Sequence, residues 1–222
     1  MASASVQIAG SARTGQLLLA CVTEHGSAAH SYATSQKLLS GPDASRNLAD
    51  LIHFLSTLHG LHPGVVDHAA ARVVDPDARD WIEDAATAFA AERFYLTRLA
   101  VAAGPVPSTP GAADSDNAVR GQAHALEMLA QSERNGCALG AAIAVALDWQ
   151  YVRSALDAAA IRFGVEVQPY DAAQPERLRR LADSFADSPS TQRALLFGAQ
   201  QILIQHYGLW DLLEARQQAR EG

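Results

Sequence analysis

Hydrophobic and polar residues alternate along most of the chain with helical spacing, and one run departs from it by having no polar side at all. From Gly136 to Leu147 the sequence reads GCALGAAIAVAL, without a charged or strongly polar residue. A helix that is apolar all round has no face to give to water and is buried among other elements. The run is far short of the roughly 20 residues that cross a bilayer. Gly136 and Gly140 lie four apart on one face. A helix-interior Gly costs about 1 kcal/mol relative to Ala, so close approach of a neighbouring backbone is the expected offset. The run predicts the central helix of an all-α domain, a single bundle of five to seven helices.

The flanking pattern supplies the other helices. Residues 1–11 are small and polar and read as frayed. A short helix is expected over Ala12 to Glu24, with Leu17, Leu18 and Cys21 inward, a strand over Gln16 to Thr23 being the alternative, and irregular chain over 25–41 with at most one helical turn. Leu48, Leu51, Ile52, Leu55 and Leu58 recur at helical spacing after Pro42-Asp43, and that helix ends near Gly60 or Pro63. A short piece follows over Val65 to Arg72. Asp75-Pro76 pairs an N-cap acid with a proline at the first helical position and starts a long helix to Ala103. Gly104 to Gly111, with three prolines, breaks regular structure and reads as a mobile loop. Helix resumes near Asp116 and runs towards Phe163, with a kink or break at Asn135-Gly136 and Gly164 as C-cap. Val165 to Pro169 is extended. Pro175 to Ala186 is a short amphipathic helix, and Ser188-Pro189 starts the last one. The expected division is an N-terminal segment over 1–42 and a bundle over 43–222.

Composition narrows the chemistry. Of 222 residues 49% are hydrophobic but only 6% aromatic, so the core is built from Ala, Leu and Val. The formal net charge of -7, with Lys37 the sole lysine and no basic cluster, argues against nucleic acid and anionic membranes as partners. Cys21 and Cys137 have no metal-type spacing, and the chain reads as cytoplasmic. The apolar piece Leu17 to Val22 is too short and poorly flanked for a signal peptide. No glycine pattern forms a phosphate loop, and the spacing of His25, His30, His62 and His68 singles none of them out.

Candidate chemistry lies in polar residues that fall within apolar helical stripes. Glu92 lies within roughly 40° of the apolar centre of its helix on a 100° wheel. His206 interrupts Leu195-Ala199-Ile202-Leu209-Leu213. Glu133 shares a face with Leu126, Leu129 and Ala130, and His59 lies near Leu48-Leu51-Leu55. Carboxylates are rarely buried unless paired or metal-bound, and bundles build metal sites from Glu and His on facing helices. Glu92, Glu133, His206 and His59 are therefore candidate ligands for iron, manganese or zinc, or proton carriers for a bound small molecule. The competing reading is structural, with Arg93 or Arg134 pairing the carboxylates. His124 and Glu127 share a face by spacing, but that face is the polar one. The expected function is binding of a metal or small molecule between helices, oxidoreductase-like at best. A non-enzymatic homodimer joined through Trp149, Tyr151 and Trp210 is the alternative, and a hydrolase using Cys137 the weaker one.

Helix order, helix lengths and the long loop after residue 103 resemble the ferritin-like and haem-oxygenase-like groups, the latter including the thiaminase-II-like proteins, over residues 43–217. The chain is also similar to an uncharacterised bacterial family. The ferritin-like resemblance implies paired Glu-x-x-His motifs, and this chain has only the reversed His124-Ala125-Leu126-Glu127. The thiaminase-like one implies a nucleophile at Cys137, without the aromatic residues that surround such a site.

Overall fold

The computed structural model describes residues 14–171 and 173–221. The expected frayed segment, residues 1–11, lies outside them. Among the described residues there are nine α-helices and no strand. They are α1 (Thr14–His25), α2 (Gln36–Leu39), α3 (Ala44–His59), α4 (Val65–Arg72), α5 (Pro76–Ala103), α6 (Ala112–Ala130), α7 (Cys137–Phe163), α8 (Pro175–Phe185) and α9 (Pro189–Glu221). Two 3-10 turns, Ser27–Ala29 and Ser31–Thr34, connect α1 to α2.

The helix starts are written in local chemistry. Asp75 Oδ1 accepts from Ala78 N at 2.9 Å with Pro76 at the first helical position, so α5 begins with its orphan donors partly satisfied. Asp67 Oδ2 reaches back to Gly64 N at 2.7 Å and caps α4. Gly164 ends α7 at φ 70°, a left-handed conformation that favours glycine. The break at Asn135-Gly136 is complete: α6 stops at Ala130 and α7 starts at Cys137, with Gly136 at φ 95° as its N-cap.

α7 is the axis of the bundle, and every residue from Cys137 to Trp149 is buried. It touches each of the other helices and packs most extensively along α9. A Cβ on Gly140 would overlap the Leu195 carbonyl, and one on Gly198 would overlap the Cys137 carbonyl. The two longest-packed helices thus meet backbone to backbone through paired glycines, which is the offset for placing glycine inside helices. No described helix is long and apolar enough to cross a membrane.

The loop over 104–111 is not free. Arg216 Nη2 donates to the Pro107 carbonyl at 3.1 Å and to Thr109 Oγ1 at 3.3 Å, and Thr109 is buried. Two arginines of α9, invisible to loop composition, hold it against the bundle. Trp149 and Trp210 are both fully buried, so neither can join subunits as expected; of that set only Tyr151 reaches the surface.

Candidate functional site

Three elements meet at one carboxyl group in the middle of the bundle, and a fourth joins through a histidine. Asp148, on α7, is 0% exposed. Its Oδ1 accepts from Ser27 N at 2.6 Å and its Oδ2 from Ser27 Oγ at 2.6 Å. His206 Nδ1, from α9, meets Oδ2 at 2.6 Å. His206 Nε2 in turn meets His59 Nε2, from the C-terminal end of α3, at 2.8 Å. The result is one continuous chain, Ser27–Asp148–His206–His59.

Local sequence makes this junction fit. Gly26 precedes Ser27, and a Cβ there would overlap Asp148 Oδ1, so only glycine lets the turn sit on the carboxyl group. His30 pins the same turn: its Nδ1 accepts from Tyr32 N at 3.2 Å and its Nε2 meets Asp211 at 3.0 Å.

The chain has a direction, set by its donors and acceptors. A backbone N–H can only donate, so Asp148 Oδ1 accepts. With Asp148 accepting at Oδ2 as well, His206 Nδ1 carries its hydrogen, and in the neutral ring Nε2 is then an acceptor. His59 Nε2 must donate to it, which leaves His59 Nδ1 with a bare lone pair. That nitrogen has no partner among the described residues and is not sealed in the interior. Burial holds the His59 imidazole well below its ordinary range, with His206 and Arg93 acting in the same direction, so the ring is neutral at neutral pH.

His59 lines a cavity of about 560 Å³ between the α3–α4 turn and α6. Leu58, Leu61, Val65, Leu126 and Ala130 give it apolar walls. Its lining also carries polar side chains, the half-buried His68 and the exposed His62, Arg120, His124, Glu127 and Gln131. The His124–Glu127 pair, 3.6 Å apart, is solvated as its helical face predicted.

Glu92 belongs to a neighbouring network. It is buried as the wheel predicted, and Arg153 Nη1 donates to its Oε1 at 2.6 Å while Trp149 Nε1 donates to Oε2 at 2.8 Å. Burial pushes the carboxyl group up, against the pull of Trp149 and Arg153 in the other direction. Arg153 also bonds Asp157 at 2.9 Å and the Gln168 carbonyl. The partner is thus Arg153, a helix away from the expected Arg93, which pairs with Asp67 at 2.9 Å instead. Trp149 links the networks, its ring lying edge-on to His59 at 5.1 Å between centroids.

Of the four candidate ligands the structure brings together His59 and His206, places Glu92 next door in an ion pair, and leaves Glu133 apart. Glu133 is exposed because α6 ends three residues before it, so a wheel extended past Ala130 does not describe it. It lines a larger cavity, about 760 Å³, around the start of α7, which holds none of the buried chain. Among the described residues no three His, Cys, Asp or Glu side chains are grouped to hold a metal ion. Cys137 is fully buried in the α7–α9 seam, which gives a substrate no access to the thiol.

Sequence reasoning missed Asp148 and Ser27. Asp148 was detectable: it is the first charge after twelve apolar positions of a helix whose whole circumference is buried, and such a carboxylate needs partners. Ser27 lies in an irregular stretch 121 residues away, and nothing local marks it.

The chain matches one protein family over residues 22–221, a span that includes every member of the buried chain. It belongs to DUF6975, a family of unknown function. No curated protein and no solved structure matches this family member.

Proposed function

We propose that this DUF6975 protein binds a small, largely apolar molecule in the His59 cavity. The observation that carries the reading is the buried chain from Ser27 to His59, which spans the bundle and ends at a residue that lines the cavity and whose Nδ1 has no partner among the described residues. Apolar walls with a few polar groups, in a cavity of this size, are what a ligand site provides. Binding is tested by titrating small aromatic fragments and following the methyl NMR signals of Leu58, Val65 and Leu126. Saturable shifts confined to that set, abolished in Ala123→Leu, which narrows the cavity from its α6 wall, support the reading. Shifts spread over the surface, or none at all, contradict it.

A second reading, self-association, is supported by exposed apolar side chains. Phe197, Ile204 and Tyr207 on α9 and Met128 on α6 are all at least 39% exposed. Sedimentation of the protein and of Ile204→Glu tests it: a dimer that dissociates in the variant supports this reading, and a monomer in both overturns it.

A further inference from the structure

Among the polar side chains that line the cavity, His59 is the one that ends a directed chain, and that direction restricts what can bind there. We infer that the cavity takes a weak acid of the phenol or enol class, an apolar body carrying one O–H, and that the O–H donates to His59 Nδ1 and passes its proton into the chain. The inference rests on the reading of the cavity as a binding site.

The argument is one of matching. Leu58, Leu61, Val65 and Leu126 reward an apolar body. His59 Nε2 is committed to His206 at 2.8 Å, so only Nδ1 can meet the ligand. With Asp148 taking all three of its hydrogen bonds as acceptor, Nδ1 is itself an acceptor and selects a donor. A ligand offering only a carbonyl or nitro oxygen would leave the lone pair facing another lone pair.

The chain also offers the proton a destination. The ligand O–H bond breaks as an N–H bond forms at His59 Nδ1. The hydrogen on His59 Nε2 passes to His206 Nε2, the two nitrogens being 2.8 Å apart. His59 is neutral before and after, the positive charge rests on His206 next to Asp148 at 2.6 Å, and the ligand is left as the anion in the cavity. One proton leaves the ligand and one positive charge appears on His206, so the step balances without a further reactant. His59 is the proton acceptor, since it touches the ligand; Asp148 and Ser27 are positioning residues.

The probes are 4-nitrophenol and nitrobenzene, which share shape but differ in the O–H. At a pH where free 4-nitrophenol is mostly neutral, the account expects it to bind at least about tenfold tighter than nitrobenzene and to show the visible band of the phenolate when bound. His59→Phe should abolish both the preference and the band. Asp148→Asn, with folding verified by circular dichroism, should keep binding and lose the band; His59→Gln serves the same comparison where the Asp148 variant does not fold. Equal binding of both probes to the wild type overturns the donor assignment and leaves the cavity reading standing. Tight 4-nitrophenol binding without the band overturns the proton transfer. A preference that survives His59→Phe overturns the role of His59. Binding of neither probe overturns the cavity reading itself.

Discussion

Two buried polar networks are anchored on α9, and they end differently. Near its C-terminus Arg216 and Arg220 converge on Asp50, at 2.9 and 2.5 Å, with Thr109 and Asn47 as further partners. Halfway along, His206 connects Asp148 to His59. The first network closes on itself: it ties α3, α9 and the 104–111 loop together, and its leftover nitrogens, Arg216 Nε and Nη1 and Arg220 Nε, are sealed in the interior, with the Arg216 guanidinium 5.2 Å from the centre of the Phe54 ring. The second network runs from a loop through the bundle and stops at His59, which lines a cavity and whose Nδ1 has no partner among the described residues. Burial of charge is therefore common to a clamp and a site. What separates them is whether the last polar atom is walled in or left open.

The largest effect is expected in the closed network. Asp50→Ala leaves two buried guanidiniums without their carboxylate and should cost about 3–5 kcal/mol of folding stability, measured by urea unfolding. In the milder Asp50→Asn the affinity for 4-nitrophenol should be unchanged. If it falls as far as in a His59 variant, the two networks are one functional unit and the distinction fails.

Next in size is Asp148→Asn. It keeps the shape, but its amide offers a donor where Ser27 N, Ser27 Oγ and His206 Nδ1 all present donors, and a cost of about 1–3 kcal/mol is expected. Unlike the Asp50 variants, it should also alter the ligand spectrum. A loss of stability with an unaltered phenolate band would make this chain a second clamp.

A smaller effect follows from pH. His59 has its folded pKa lowered from 6.5, so below that value the unfolded chain takes up a proton that the folded ring refuses. Stability is then fully present above pH 6.5 and is lost as pH falls, by up to about 1.4 kcal/mol per pH unit from this one group. Unfolding of wild type and His59→Phe between neutral and mildly acidic pH checks it: the variant should lose that part of the slope, and parallel curves contradict the neutral His59.

Much of this architecture was legible in the sequence, for physical reasons that also mark where legibility stops. The bounds of α4 and α5 follow from caps and proline chemistry written within a few residues, and both match. The inward placing of Glu92 and His206 follows from helical period. The partners of those residues do not follow, because period gives a face and not a neighbour. Arg153 is 61 residues from Glu92, and Ser27 is 121 from Asp148. Glu133 shows the converse error, in which a period is continued past the end of its helix. The apolar run was read to Leu147, one residue short of the aspartate that gives α7 its role: Gly140 and its neighbours bring α9 close, and Asp148 uses that closeness to reach His206.

The smallest effect is expected at the cavity edge. Glu127→Gln breaks a solvated pair with His124 and should change stability by less than about 0.5 kcal/mol and leave the phenolate band in place, measured by thermal unfolding and absorbance. A lost band would move the proton acceptor from the buried chain to the edge.

The central claim, that His59 presents an open acceptor at the end of a directed chain, is tested most directly by 15N NMR of the histidine side chains at a pH where free 4-nitrophenol is mostly neutral. The account predicts His206 protonated at Nδ1 and His59 protonated at Nε2 with a bare Nδ1; when 4-nitrophenol is added, Nδ1 of His59 gains a hydrogen as its Nε2 loses one to His206 Nε2, and both His59 resonances move strongly. A hydrogen found on His59 Nδ1 in the free protein, or a Nδ1 resonance indifferent to the ligand, would contradict it.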